Sequence, residues 1–121
     1  MPENILIVED EAITRCQLAQ TLRNQGYKVT EAADGAEAVE LLTNRHFDLV
    51  ISDFILPKFY GLNLVNLVRS QWPEIPLIVI SGRLSESSGE MILEGLADFM
   101  RKPVDPDILL ARVRRFFLYE R

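Results

Sequence analysis

The sequence predicts an α/β fold: a parallel sheet of five short strands covered by helices on both faces. Three observations predict it. First, apolar runs of three or four residues, rich in β-branched side chains, recur as Ile5-Leu6-Ile7-Val8, Leu49-Val50-Ile51 and Leu77-Ile78-Val79-Ile80, the continuous pattern of strands buried on both faces rather than the alternation of a half-exposed sheet. Second, each run is followed by a segment of helical periodicity, and a strand–helix alternation is the signature of parallel crossover units. Third, the runs break off at polar residues, Glu9-Asp10, Asp53 and Ser81. Polar groups at the carboxyl ends of parallel strands gather in one crevice.

The elements follow in order. Ile5 to Val8 is the first strand, and Asp10 is placed to cap the helix after it. Thr14, Leu18 and Leu22 give that helix one inward stripe, with Gly26 at its C-terminal end. Tyr27 to Ala32 alternates as a strand near a sheet edge. Asp34-Gly35 marks a turn, and Ala36, Ala38, Val39, Leu41 and Leu42 build a second helix ending near Arg45. The third strand runs from Phe47 to Ser52 and delivers Asp53. Pro57 and Gly61 bracket a loop before a helix over Leu62 to Gln71, with Leu64, Val65 and Val68 inward. The fourth strand, Leu77 to Ile80, closes at Ser81-Gly82. A short helix is expected over Glu86 to Gly95, in a stretch poor in helix formers. A weak fifth strand, Ala97 to Met100, ends at Arg101-Lys102-Pro103. Asp105, with Pro106 at the first helical position, opens a last helix with Leu109, Val113 and Phe116 inward.

Bulk properties narrow the function classes. A chain of 121 residues fits one compact domain, read here as residues 1–121. A formal net charge of −5 argues against direct nucleic-acid binding. One cysteine, Cys16, excludes an internal disulfide and is expected to be a small, half-buried helix residue; the single His46 is expected at a helix end on the surface. The longest apolar runs are too short to span a bilayer and no signal peptide is evident, so the expected location is the cytoplasm.

Read together, the strand ends deliver Glu9 and Asp10, then Asp53, Ser81 and Lys102. Any one acid alone reads as a cap or a solvated turn. Three carboxylates in one crevice repel one another and call for a cation, and an all-oxygen set with room for water suits Mg²⁺ better than zinc.

The sequence at this point resembles the receiver domains of bacterial two-component response regulators, the CheY-like family, from Ile5 to about Phe117. The carriers are Ile5–Glu11, Phe47–Asp53 with Pro57 and Gly61 following, Pro76–Gly82, and Gly95–Pro103. The resemblance implies a flavodoxin-like (βα)5 three-layer sandwich with strand order 2-1-3-4-5. It implies that Asp53 is the phosphoacceptor, loaded by a sensor histidine kinase or a histidine phosphotransfer protein. Mg²⁺ would be held by Asp10, Asp53 and the backbone carbonyl of Ile55, with Glu9 acting through water. Lys102 and Ser81 would contact the phosphoryl oxygens, and Ser81 and Phe99 would form the switch. The implied catalysis is limited to the domain's own phosphorylation and dephosphorylation, and the implied output is the face of the fourth helix, fifth strand and fifth helix. Asp98 and Arg112 match positions that pair across a two-fold axis in OmpR/PhoB-type dimers, and Ile108 stands on the same face in place of a charge.

The sequence departs from the family pattern at several points. Phe99 stands where Tyr is common, Gly82 where Ala is frequent, and Ile55 and Arg83 fall at positions that often tune dephosphorylation. Rival chemistries lack their parts. A haloacid-dehalogenase-type phosphatase needs a second Asp where this chain has Ile55. A nucleotide-binding fold needs a glycine-rich loop where it has Glu9-Asp10-Glu11, and no histidine base stands near Ser81. The remaining rival is a receiver that only binds partners. The apolar ending Phe116-Phe117-Leu118-Tyr119 points to a dimer or a continuing chain.

Overall fold

The computed structural model describes residues 3–53, 61–82 and 98–120. Five strands, β1 (Asn4–Val8), β2 (Lys28–Ala32), β3 (Leu49–Asp53), β4 (Leu77–Ser81) and β5 (Asp98–Arg101), form one sheet in the order β2-β1-β3-β4-β5, every pair parallel. The helices are α1 (Ala12–Arg23), α2 (Gly35–Asn44), α3 (Gly61–Gln71) and a C-terminal helix (Pro106–Arg115) that continues as a π-helical turn over Phe116–Glu120. The expected three-layer α/β architecture and strand order are present. The helix expected over Glu86 to Gly95 lies outside the described residues, as do Pro57, Arg83 and Ala97.

Alternation along the strands decides which helix covers which face. Leu6, Val8, Val50, Leu77 and Val79 point to one side and meet Ala38 and Leu42 of α2 and Leu64, Val65 and Val68 of α3. Ile5, Ile7, Leu49, Ile51, Ile78, Ile80 and Met100 point to the other and meet Leu18, Ala19 and Leu22 of α1 and Leu109 and Val113 of the C-terminal helix. The central strands are apolar throughout because both of their faces are covered. Truncating any one of these fully buried aliphatic side chains to Ala is the kind of change that costs about 2–5 kcal/mol. β2, at the edge, is only half-buried along most of its length, which is why its sequence alternates.

Capping chemistry sets the helix starts, with one correction. Asp34 accepts a hydrogen bond from the Glu37 amide at 2.8 Å, and Asp105 accepts from the Asp107 amide at 2.8 Å with Pro106 following as expected. Such caps are each worth about 1 kcal/mol. Asp10, expected to cap α1, does not. The N-cap is Glu11, in extended conformation and without a side-chain cap bond. Asp10 stands one residue before the cap, and its carboxylate belongs to the strand-end cluster instead. At the far end of α1, Gly26 adopts φ +92°, a left-handed turn that a side chain would strain.

Three smaller expectations are corrected. Cys16 is exposed rather than half-buried, because it falls on the solvent side of α1 opposite Leu18 and Leu22. Thr14 is half-buried, so the inward stripe of α1 is carried by Leu18, Ala19 and Leu22. Phe116 is half-buried at the point where the helix widens into its π-helical turn, while Phe117 stacks on Tyr27 with ring centroids 5.6 Å apart. His46 is on the surface as expected, 3.2 Å from the Asp48 carboxylate.

Candidate functional site

Sheet register brings the site together. Val8 pairs with Ser52, so Glu9 emerges beside Asp53 on the neighbouring strand. Asp53 pairs with Ile80, and Ser81 with Arg101, so Ser81 and Lys102 follow one step further along the same end. The order reverses between β1 and β3, the switch point at which open α/β sheets place ligands.

Parity then sorts the side chains. Asp53 follows Leu49 and Ile51 on the face covered by α1 and the C-terminal helix, and Glu9 and Lys102 continue the same parity from Ile7 and Met100. Ser81 follows Leu77 and Val79 on the opposite face, where Phe99 also packs. Phe99 is the direct register partner of Val79, two residues before Ser81. The acidic group and its ammonium thus share one face, and the hydroxyl and the aromatic share the other.

At the centre, the Lys102 ammonium donates to the Glu9 carboxylate, contacts Asp53 Oδ2 at 3.1 Å and lies 3.6 Å from Glu11 Oε1. Its backbone amide donates to the Ser81 carbonyl at 3.1 Å, which fixes the base of the side chain. Glu9 is fully buried, Asp53 and Ser81 are buried, and Asp10 is exposed. One carboxylate oxygen from each of Glu9, Asp10 and Asp53 falls within 4.8 Å of the other two, so one cation can be reached by all three. The donors are all oxygen and one of them faces solvent, which leaves room for the waters that Mg²⁺ retains. The backbone carbonyl of Ile55 lies outside the described residues. Between α1 and the segment after β5 lies an open groove of about 800 Å³, lined in part by Thr14, Leu18, Lys102 and Val104.

The sequence implied mutual repulsion among the carboxylates, and the electrostatics of the cluster bear it out for Glu9 and Asp53. Burial pushes the Glu9 carboxyl up to about 8, the adjacent Asp53 adds to the rise, and Lys102 offsets only part of it. For Lys102, burial acts downward, but its bonds to Glu9 and Asp53 prevail and raise its pKa. Glu9 is thus the member of the cluster whose charged form burial most disfavours.

Two residues absent from the sequence reading also meet here. Arg15, in the first turns of α1, donates through Nη1 to the Glu9 carbonyl at 2.9 Å, and its Nε lies 3.4 Å from Glu31 Oε1 on β2. A basic residue near a helix N-terminus opposes the helix dipole, and that mismatch is the sequence signal that marks Arg15. Asp98 and Arg112, expected to pair between two chains, pair within one: Arg112 Nη1 lies 2.9 Å from Asp98 Oδ1 and donates to the Phe99 carbonyl at 3.0 Å. Ile108 is exposed on the same helix.

The raised Glu9 pKa has a consequence for stability. Between its ordinary value of 4.5 and about 8 the folded chain binds more protons at this group than the unfolded chain, so its contribution to stability falls as pH rises. Metal-free protein is expected to lose melting temperature from pH 5 to pH 8, and Glu9→Gln to flatten that slope and gain relative to wild type at pH 8. Thermal unfolding in chelator across this range is the check; parallel profiles for the two proteins would remove Glu9 as the source.

With the geometry in hand, comparison with known proteins is specific. The family profile described as "Response regulator receiver domain" matches residues 5–114. Response regulator MprA of Mycobacterium sp. (strain KMS) is 36% identical over 115 residues, covering 94% of this chain and 50% of the relative, so the chain spans half of that protein's length. A CheY-like receiver domain protein from Methanospirillum hungatei JF-1 superposes with a TM-score of 0.89 at 28% identity, covering 95% of this chain and 93% of the other. The BeF3-activated DrrB receiver domain superposes with a TM-score of 0.88 at 27% identity over 100% of both chains. Strand order, strand-end residues and relatives agree: this chain belongs to the response regulator receiver domain family.

Proposed function

We propose that Asp53 accepts a phosphoryl group in a Mg²⁺-dependent reaction and that the domain works as a phosphorylation switch in a two-component relay. The observation that carries this reading is the meeting of the buried Asp53 carboxylate with Glu9, Asp10 and the Lys102 ammonium at the switch point of the sheet. An Asp53 oxygen attacks the phosphorus of a phosphohistidine in line. The P–N bond breaks, its electron pair leaves with the imidazole, and an acyl phosphate remains on Asp53. The donor would be a sensor histidine kinase or a histidine phosphotransfer protein.

Positioning and charge neutralisation do most of the work of phosphoryl transfer, and each residue supplies a part. Asp10 and Asp53 would hold Mg²⁺, with Glu9 contributing through water and the Ile55 carbonyl completing the protein ligands. When bound, the metal would neutralise charge on the phosphoryl oxygens. Lys102 would leave Glu9 for a phosphoryl oxygen, a short swing because its ammonium already touches Asp53. Ser81 would donate its hydroxyl to another oxygen. The same pocket would support attack by water on the acyl phosphate, so the chain would catalyse only its own loading and unloading.

The output follows from shared parity. Ser81 and Phe99 lie on one face, so movement of the hydroxyl toward Asp53 opens space for the half-buried ring. Phosphorylation would shift the balance between two existing states rather than create a new one. The face involved includes β5 and the C-terminal helix, where Asp98 and Arg112 are paired within the chain. A dimer built on that pair would exchange this internal bond for the same bond across the two-fold axis. An exposed pair is worth about 1 kcal/mol or less, so the apolar Ile108 would contribute more than the ion pair.

Two measurements test this reading. Wild type incubated with acetyl phosphate and Mg²⁺ is expected to gain one phosphoryl mass in intact-protein mass spectrometry, and Asp53→Asn to gain none; a phosphorylated Asp53→Asn would reassign the acceptor. Light scattering with beryllofluoride and Mg²⁺ at high concentration is expected to show a weak dimer that Ile108→Lys abolishes and Asp98→Ala weakens less. A monomer under those conditions would give this face to a different partner.

A further inference from the structure

We infer that Arg15 is a positioning residue for the metal site, holding the Glu9–Asp10 peptide in place from a second layer anchored on Glu31; this inference rests on the metal-site reading above. Among the described residues the Asp10 side chain makes no hydrogen bond or ion pair, and it is exposed. Its Cα–Cβ direction is set by the turn between β1 and α1. Among the described residues three bonds hold the Glu9–Asp10 stretch of that turn. The Glu9 amide donates to the Ala32 carbonyl of β2 at 3.0 Å. The Asp10 amide donates to Glu9 Oε2 at 3.1 Å. The Glu9 carbonyl accepts from Arg15 Nη1 at 2.9 Å.

The second of these depends on the Glu9 carboxylate, which has to reorganise when a cation draws on it. The bond from Arg15 involves no carboxylate of the cluster, so a cation drawing on those carboxylates does not compete for it. Arg15 is itself held. Its Nε faces Glu31 Oε1 at 3.4 Å, while Glu31 Oε2 takes Arg23 Nη1 at 3.1 Å, and Arg23 Nη2 donates to the Val29 carbonyl at 2.8 Å. Glu31 thus ties two arginines of α1 to the edge strand. It also balances a guanidinium that would otherwise stand uncompensated next to a cation site. The arrangement resembles outer-layer partners of metal ligands generally, which orient the ligands without touching the ion.

The sign of the effect separates this role from plain electrostatics. A cation near a metal site repels the metal, so on charge alone removal of Arg15 tightens binding. Removal of a positioning bond weakens it. Mg²⁺ is titrated into wild type, Arg15→Ala and Arg15→Lys at 25 °C, followed by the amide resonances of Asp10 and Asp53, with Asp10→Asn as the control for the site. The dissociation constant of Arg15→Ala is expected to rise about tenfold, the lower end of what loss of such partners costs. Arg15→Lys keeps one donor for the Glu9 carbonyl and is expected to recover part of the loss, with resonances elsewhere in the sheet unmoved. Arg15→Gln, which removes the charge and shortens the side chain, is expected to weaken binding where charge alone would tighten it, and decides the question if Arg15→Ala does not fold. Affinity in Arg15→Ala equal to or tighter than wild type overturns the inference. So do an equal or tighter affinity in Arg15→Gln in the absence of a folded Arg15→Ala, and a loss that Lys does not relieve and that comes with shifts across the sheet. If wild type binds no Mg²⁺, or Asp10→Asn binds it equally well, the metal-site reading itself fails and takes this inference with it.

Discussion

The Lys102 ammonium among buried carboxylates is the interaction on which the rest of this structure turns. Glu9 is withdrawn from solvent entirely and Asp53 nearly so. Taking a carboxylate out of water costs several kcal/mol unless a partner compensates, and here two carboxylates share one ammonium. The compensation is incomplete, as the rise of the Glu9 pKa shows. A fully satisfied cluster would have little to gain from a ligand. An under-neutralised one is drawn to positive charge. In the function proposed above, a cation held by these carboxylates would free Lys102 for a new acceptor a short distance away.

That economy is possible only because the parallel sheet fixes the cast. The β1–β3 register sets Glu9 beside Asp53, and β5 delivers Lys102 across the top of β4. A one-residue slip of any strand would carry its residue to the other face, and the doubly buried core makes such a slip costly. The same alternation puts the two proposed roles on different faces. Asp53 continues the parity of the residues that meet α1, whereas Ser81 and Phe99 share the parity of those that meet α2 and α3, so in the proposed switch Ser81, at the end of β4, would link the two. Packing on one face and polar chemistry at the edge thus come from a single periodicity.

Most of this was legible in the residues. Strands buried on two faces are written as unbroken runs such as Leu77–Ile80, and strand-end chemistry follows directly from where those runs stop. Edge strand β2 announced itself by alternation. What was not legible shares a physical cause. The N-cap of α1 fell to Glu11 because the backbone extends one residue further than the side-chain preference of Asp10 implied. The exposure of Cys16 depended on the rotation of α1, which Leu18, Ala19 and Leu22 settle together. The internal Asp98–Arg112 bond joins a strand to a helix 14 residues on, a contact that no local pattern specifies. Arg15 and Glu31 likewise meet across two elements. The one local sign of Arg15 is a basic residue at a helix start, and nothing in it names Glu31 as the partner.

Central to the proposed switch is that Lys102 is held by Glu9 until metal and a phosphoryl group take its place. The direct test is the structure of the domain crystallised with Mg²⁺ and beryllofluoride. The claim predicts beryllofluoride on Asp53, metal held by Asp10 and Asp53, and the Lys102 ammonium bonded to a fluoride and withdrawn from Glu9. A Lys102 still bonded to Glu9 beside a loaded Asp53, or a fluoride group bound anywhere but Asp53, would contradict it.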